Sequence, residues 1–163
     1  MMAKRERKVV VNTNDLTHQL RQSALIMLSR REYSRAELEQ RLGRVEGSES
    51  LLPALLEQLQ QQGLQSDLRY TENLLRSRIN RGQGPVRIAQ ELRHKGLADQ
   101  LSDEVMSSCE QDWFELARAV RERRFGLEPP QDRQAEAKQW RFLLYRGFTS
   151  EQARYAMRAR ESG

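Results

Sequence analysis

The chain has 163 residues, of which 37% are hydrophobic and 31% charged, and its formal net charge at pH 7 is +5. This length suits one ordinary domain or a short array of repeats, and no apolar run approaches the roughly 20 residues that a membrane span needs. Helix formers dominate and the alternating pattern of strands is nearly absent, so the composition predicts an all-α protein.

The first third of the chain predicts a charged arm followed by three helices. Residues 1–12 are charged and lack the apolar core of a signal peptide, so we expect a basic, disordered arm there. Leucine spacing indicates a helix from about Thr13 to Arg31. The segment Ser34-Arg35-Ala36-Glu37 has the spacing of a capping box and predicts a second helix. A third helix is expected to start at Ser50 and to end at Gly63.

The middle third repeats this arrangement. Leu68, Thr71, Leu75 and Ile79 share one face of a long predicted helix. The break Gly82-Gln83-Gly84-Pro85 ends that helix, and its proline is suited to the first position of the next one. That next helix is expected to end at Gly96. A further helix is expected over Asp99 to Ser108.

The last third again predicts three helices. The first carries Trp113 and is expected to stop near Gly126, and the pair Pro129-Pro130 separates it from the second. Ala137 to Leu144 carry the apolar face of the second helix. Thr149 and Gln152 have the spacing of another capping box, so a final helix is expected to begin there.

Three helical triplets therefore follow one another with a period of about 50 residues. The segment Leu92 to Leu97 recurs 51 residues later as Leu143 to Phe148, each with a basic residue followed by glycine. Stacked repeats of this kind form a quasi-linear array, so we expect three tandem three-helix repeats forming an elongated, curved body. The predicted boundaries are 13–65 for repeat 1, 66–110 for repeat 2 and 111–160 for repeat 3.

These motifs resemble the RecX family of bacterial recombination regulators. Ser29 to Leu42 (SRREYSRAELEQRL) is similar to the first family motif, and Arg78 to Leu97 (RINRGQGPVRIAQELRHKGL) to the second. Phe142 to Gln152 (FLLYRGFTSEQ) is similar to the third. One departure is the turn Gly63 to Asp67, where the family usually has Gly-aromatic-Leu-Asp-Asp. Ser66 can act as a cap there, so we expect the fold to persist.

The resemblance implies a cytoplasmic regulator rather than an enzyme. It implies docking onto the RecA filament on DNA, with inhibition of ATP hydrolysis and strand exchange or control of filament growth. The predicted open array with polar ends is consistent with a monomer. Nothing in the residue spacing identifies RecA, and that expectation comes from the family alone. Weak direct contact with DNA is expected beside the RecA contact. A nonspecific nucleic-acid-binding module that acts without RecA remains an alternative.

The residues themselves offer little catalytic chemistry. The Gly82-Gln83-Gly84-Pro85 break lacks the Gly-Lys-Ser/Thr of a phosphate loop and no strand precedes it. The two histidines, His18 and His94, have no ligand partners at metal-binding spacing. Cys109 is the only cysteine, which excludes an intramolecular disulfide and fits a reducing cytoplasm. We expect no cofactor, no metal and no enzymatic activity.

Basic residues concentrate in two clusters, one from Arg69 to Lys95 and a second formed by Arg118, Arg121, Arg123 and Arg124. From Arg69 to Lys95 seven basic and two acidic residues give a net charge of +5. Arginine pairs with carboxylates as well as phosphates, so charge alone leaves an acidic protein and a nucleic acid open. Major-groove reading by every repeat is disfavoured because Glu57, Asp99, Asp103 and Glu104 lie on the third helices of the first two repeats. The predicted partner-binding residues are Arg76, Arg78, Arg81, Arg87, Arg93, Lys95, Arg121 and Arg124.

Overall fold

The structure is a computed structural model that describes residues 12–160, and all regular secondary structure in this part is α-helical. Its helices are α1 (Thr13–Arg30), α2 (Arg35–Leu42), α3 (Leu52–Gln61), α4 (Asp67–Asn80), α5 (Pro85–His94), α6 (Asp99–Ser108), α7 (Trp113–Phe125), α8 (Arg133–Tyr145) and α9 (Ser150–Met157). The predicted all-α fold class is confirmed. The predicted arm over 1–12 lies outside the described residues except for Asn12, whose side chain caps α1 by accepting from the Asn14 N–H.

Two helix starts follow from local side-chain chemistry as predicted. The Ser34 hydroxyl accepts a hydrogen bond from the Glu37 backbone N–H at 3.1 Å and starts α2. At α9 the capping box is reciprocal. The Gln152 N–H donates to the Thr149 hydroxyl at 3.2 Å, and the Thr149 N–H donates to the Gln152 side chain at 2.9 Å. Each cap satisfies backbone donors that a helix leaves unpaired at its N-terminus.

Helix α3 begins later than the predicted Ser50. The carbonyl of Ser48 accepts from the N–H groups of Leu51 and Leu52, at 2.9 and 3.0 Å. The residues just before α3 therefore form a tight turn closed by these two hydrogen bonds. The regular helix starts at Leu52, with Pro53 in its first turn. Proline is tolerated there because the first-turn N–H has no intrahelical partner.

The chain divides between Asp67 and Leu68 into two compact units. In the first unit, α1, α2 and α3 enclose an apolar core. Leu38 and Leu59 are fully buried in it. Burying a leucine side chain contributes roughly 1.5–3 kcal/mol, so these few leucines carry much of the stability of this unit.

The second unit contains two apolar clusters. One surrounds Ile88 and Leu92 of α5, and the other surrounds Leu143 of α8 and Phe148 of the turn that follows. Leu68 was predicted to share the inward face of α4, but its side chain is 48% exposed. It precedes the buried turn of α4 that carries Thr71 and Leu75. The three predicted repeats contain α1–α3, α4–α6 and α7–α9, and their boundaries and their arrangement as a curved body stay predictions.

Candidate partner-binding surface

The break between α4 and α5 is a tight backbone turn. The Gly82 N–H donates to the Ile79 carbonyl at 2.9 Å and the Gln83 N–H to the Arg78 carbonyl at 3.0 Å. Gly82 has φ of +76°, a left-handed conformation that glycine adopts without steric cost. The turn therefore ends α4 and starts α5 at Pro85, as the sequence predicted.

The N-terminus of α5 is capped by another turn of the chain rather than by a side chain. Its cap residue, Gly84, donates its N–H to the Arg146 carbonyl at 2.8 Å, and the Val86 N–H donates to the Gly147 carbonyl at 2.9 Å. Both acceptors lie in the turn between α8 and α9. A Cβ on Gly84 would stand 2.4 Å from the Gly147 carbonyl, and a Cβ on Gly147 only 2.3 Å from the Arg87 Cβ. Both glycines are required by this close backbone approach.

An ion pair bridges the two helices on either side of the Gly82 turn. Arg78 donates to Glu91 through Nε at 2.7 Å and through Nη2 at 2.6 Å, a bidentate geometry that orients both side chains. The hydrogen bonds from Arg78 hold the pKa of Glu91 below its usual value, and the same contact raises the pKa of Arg78. Because its charge is compensated within the protein, Arg78 serves mainly to position the surface around it.

Arg81 and Arg87 lie beside this ion pair. Together with Arg78 they line an open cavity of about 390 Å³, whose other walls include Gln83 and His94. Among the described residues neither Arg81 nor Arg87 has a carboxylate within ion-pair distance. Glu91 also lines this cavity, and the charge of Arg87 adds to the lowering of its pKa, so the positive charge of the cavity is compensated only in part. We name Arg78, Arg81 and Arg87 the central basic surface.

The other predicted arginines of this region lie apart from that cavity. Arg76 donates to the Asn73 side chain and lines a different cavity with Glu72 and Glu104. Arg93 lines a third cavity, beside Asp99 and Asp103. The structure thus brings Arg78, Arg81 and Arg87 together. It places Arg76 and Arg93 among acidic side chains, which reduces the positive potential around each.

Lys95 caps the C-terminus of α5 and is half-buried. Its charge contributes to lowering the pKa of Glu91, although less than Arg78 does. A cation at a helix C-terminus also interacts favourably with the unpaired carbonyls there. Lys95 therefore has an evident role inside the protein, at the edge of the central basic surface.

Arg121 requires a correction, because its side chain is only 1% exposed. Its guanidinium donates to the carbonyls of Ala156 (2.6 Å), Glu128 (3.1 Å) and Leu127 (3.4 Å), and to the Gln139 side chain at 3.3 Å. Burial lowers its pKa. The predicted partner-binding role conflicts with this burial. Arg121 instead ties α7 to α8, to the loop between them and to the end of α9.

Arg124 belongs to the same sequence cluster as Arg121 but remains exposed. Its guanidinium carbon lies 5.9 Å from the centroid of the Phe142 ring, within the range of a cation–π contact. Arg124 lies on α7 three residues after Arg121, and its exposed side chain is accessible to a partner.

Sequence reasoning missed two residues near the central basic surface, Tyr145 and Arg146. The guanidinium carbon of Arg87 lies 5.2 Å from the centroid of the Tyr145 ring, and Arg146 donates to the Arg81 carbonyl at 3.1 Å. The signal was present in the repeat, because Tyr145-Arg146-Gly147 aligns with His94-Lys95-Gly96. The alignment indicates the repeat period, but it does not place Tyr145 and Arg146 beside Arg81 and Arg87.

The described residues contain no cluster of histidine, cysteine or carboxylate side chains suited to holding a metal ion. Cys109 is a free, half-buried thiol. In the same part of the chain no helix combines the length and the apolarity that crossing a bilayer requires.

Comparison with known families matches two consecutive parts of the chain. Residues 66–106 match the model described as "RecX, second three-helix domain", and residues 110–157 match "RecX, third three-helix domain". Both matches fall on helices α4 to α9, which include the central basic surface and the turn that caps α5.

Curated relatives extend the similarity over most of the chain. The regulatory protein RecX of Halorhodospira halophila is 49% identical over 140 residues, covering 86% of this chain and 87% of that protein. The regulatory protein RecX of Pseudomonas putida is 40% identical over 129 residues, covering 79% and 83%.

Solved structures agree in fold. The crystal structure of RecX from Lactobacillus salivarius superimposes with a TM-score of 0.75 at 22% identity, covering 88% of this chain and 95% of that one. From the family models and the identity to these relatives, the chain belongs to the RecX family of regulatory proteins.

Proposed function

We propose that this chain binds the RecA recombinase filament on DNA and lowers its ATP hydrolysis and strand exchange. Membership of a family of regulatory proteins supports the regulatory role, and the names of the curated relatives carry that role. The proposal places a monomer in the cytoplasm, acting on a preassembled filament and using no cofactor or metal.

The observation that carries the proposal is the charge of Arg81 and Arg87, which take part in no ion pair of the described residues. Arg81 and Arg87 share one cavity, and Arg78 beside them is fixed by Glu91. A guanidinium can bind the carboxylates of a protein surface or the phosphates of a nucleic acid with paired hydrogen bonds. A filament of RecA on DNA offers both kinds of anion along its length.

Binding of this kind regulates a filament only if it discriminates between filament conformations. ATP turnover requires the filament subunits to change their relative arrangement. A regulator whose guanidinium contacts fit one arrangement better stabilises that arrangement and slows the cycle, because a ligand shifts an equilibrium by its differential affinity. The proposal therefore requires tighter binding to one nucleotide state of the filament than to the other.

The test is RecA-dependent ATP hydrolysis on single-stranded DNA with this chain added. We expect equimolar to excess regulator to lower the hydrolysis rate. The double variant Arg81→Glu/Arg87→Glu removes two charge-assisted contacts, and even one such contact is worth about 1.5 kcal/mol, or about 10-fold in affinity. The double variant should therefore need at least about 10-fold more protein for the same effect.

A matched control is Arg133→Glu, which makes the same change at an exposed arginine at the start of α8. It should inhibit as the unmodified chain does. Hydrolysis that is unaffected by excess unmodified regulator would remove the proposed function. Equal loss of inhibition in the Arg133 control would remove the assignment to the central basic surface.

A further inference from the structure

Tyr145 is an aromatic side chain that the folded protein leaves open. It is the last residue of α8, and its side chain is 75% exposed. Among the described residues the aromatic pairs are Phe114 with Tyr155 and Phe125 with Phe142, so no ring stacks on Tyr145. Its ring therefore presents a large π-surface to an external partner.

The guanidinium of Arg87 lies over this ring, and Arg81 lines a cavity together with Arg87. Arg87 lies 5.2 Å from the ring centroid and also donates to the Tyr145 carbonyl at 3.4 Å. Arg146 follows Tyr145 in the chain. Its guanidinium donates to the carbonyl of Arg81 at 3.1 Å and lies 5.3 Å from the centroid of the Phe142 ring. In the described part of the chain none of these three arginines is in an ion pair. The result is a patch with an open ring and three cations that take part in no ion pair of the described residues.

The backbone holds this patch in place before any ligand arrives. Gly84 and Val86 donate to the carbonyls of Arg146 and Gly147 at 2.8 and 2.9 Å, which joins the start of α5 to the end of α8. Gly147 is buried in this junction. A site whose backbone is already ordered loses little conformational entropy on binding, and this favours affinity.

The combination of groups selects the chemical class of the ligand. Carboxylates of an acidic peptide would satisfy the guanidiniums but would make no use of the exposed ring. A nucleotide strand supplies both a phosphate for each guanidinium and a base face that stacks on an aromatic side chain. In a duplex the base faces are already stacked on one another, so the ring can serve only unpaired bases.

We infer that Arg81, Arg87, Tyr145 and Arg146 form a binding site for single-stranded nucleic acid. Tyr145 stacks on one unpaired base, and the three guanidiniums contact phosphates of the same strand. The inference deepens the proposed function and rests on it in one respect, because it assigns part of the filament-facing surface to the DNA strand.

The test uses fluorescence anisotropy with the full chain alone and a labelled oligothymidylate, compared with a duplex of the same length. Tyr145→Ala should weaken oligothymidylate binding by about 5- to 150-fold, the range for removal of one base-stacking side chain. Tyr145→Phe keeps the ring and should retain the affinity. Duplex affinity should change less than about twofold in both variants, because a duplex does not use the ring.

Two further variants separate stacking from charge and from general loss of exposed apolar surface. Arg81→Ala removes an exposed cation, so binding of both the oligothymidylate and the duplex should weaken, with a smaller dependence on salt between about 50 and 200 mM. Leu127→Ala removes a side chain that is 77% exposed elsewhere in the unit and should change neither affinity. Equal urea midpoints for all variants establish that the fold is intact.

Three results overturn the inference: unchanged oligothymidylate affinity in Tyr145→Ala, an equal loss for the duplex, or no binding of the oligothymidylate at low salt by the unmodified chain. The RecA hydrolysis assay keeps the two proposals separate. If the chain inhibits hydrolysis but binds the oligothymidylate without dependence on Tyr145, this inference alone fails. If Tyr145-dependent binding is found but hydrolysis is unaffected, the proposed function alone fails.

Discussion

Replacing Gly84 by alanine tests whether the junction between the start of α5 and the α8–α9 turn holds the second unit together. Gly84 has φ of −85° and ψ of 168°, an extended conformation that any residue adopts, so the substitution brings no backbone strain of its own. The added Cβ would lie 2.4 Å from the Gly147 carbonyl carbon and oxygen and from the Phe148 nitrogen. Backbone atoms cannot rotate away as a side chain can, so the two turns must separate.

The magnitude follows from that separation. Ordinary contact begins at 3.4 Å, so the turns must move apart by about 1 Å, which takes the two N–H···O distances at Gly84 and Val86 beyond hydrogen-bonding range. Each bond contributes about 1 kcal/mol, and the disturbed packing of Phe148 costs about 1 kcal/mol more. The smaller entropy of the unfolded alanine chain offsets about 0.7 kcal/mol. We expect a net loss of about 2 kcal/mol.

Urea denaturation followed by tryptophan fluorescence measures this loss. Trp113 and Trp140 are the only tryptophans of the chain, and both belong to the second unit. With a urea dependence of about 2 kcal/mol per molar, the midpoint should fall by about 1 M. The signal therefore reports on the unit that contains the substitution.

Pro85→Ala is the matched control, because it changes the next residue without adding atoms at the contact. It should shift the stability by less than about 1 kcal/mol, through the unfolded state. The reasoning is refuted if Gly84→Ala leaves the midpoint unchanged or raises it, since a free Cβ at this φ would make alanine the better residue.

Two other predictions concern charged side chains. Arg121→Met removes the guanidinium that serves three carbonyls and the Gln139 side chain. Two of these acceptors, the Ala156 carbonyl and the Gln139 side chain, take part in buried hydrogen bonds, and each costs about 1–3 kcal/mol when it is left unpaired. Urea denaturation should show a loss of at least about 2 kcal/mol, and a change under about 1 kcal/mol would contradict the prediction. The lowered pKa of Glu91 means that its ion pair stabilises the protein above pH of about 4.5 and that this contribution disappears as the pH falls through the folded value. Glu91→Gln should therefore be less stable than the unmodified chain near neutral pH, with the difference shrinking in acid, and a difference that grows in acid would exclude this role for the Arg78 pair.

Most helix limits were predictable because they depend on neighbouring residues. Ser34 and Thr149 cap the helices that follow them, and Asp99–Ser108 forms a helix with the predicted limits. Local side-chain chemistry and residue spacing decide such features. The start of α3 was predicted too early. The Ser48 carbonyl accepts hydrogen bonds from the N–H groups of Leu51 and Leu52 and forms a turn there, which the residue spacing did not indicate.

The site was only partly predictable. The local density of arginines pointed to the region of Arg78, Arg81 and Arg87. The same pattern treated Arg121 as a surface residue, although its acceptors come from Leu127, Glu128, Gln139 and Ala156. Charge composition counts cations, and only the packing of distant segments decides which of them reach solvent.

The sequence by itself determined the helical class, the caps at Ser34 and Thr149 and the repeated Arg/Lys-Gly-apolar turn, because each depends on interactions within a few residues. Tertiary structure alone decided that Gly84 and Gly147 meet backbone to backbone, that Arg121 is buried, and that Tyr145 and Arg146 join Arg81 and Arg87. These relations link residues 6 to 65 positions apart. Their physical cause is close packing, which fixes neighbours in space that no local pattern specifies.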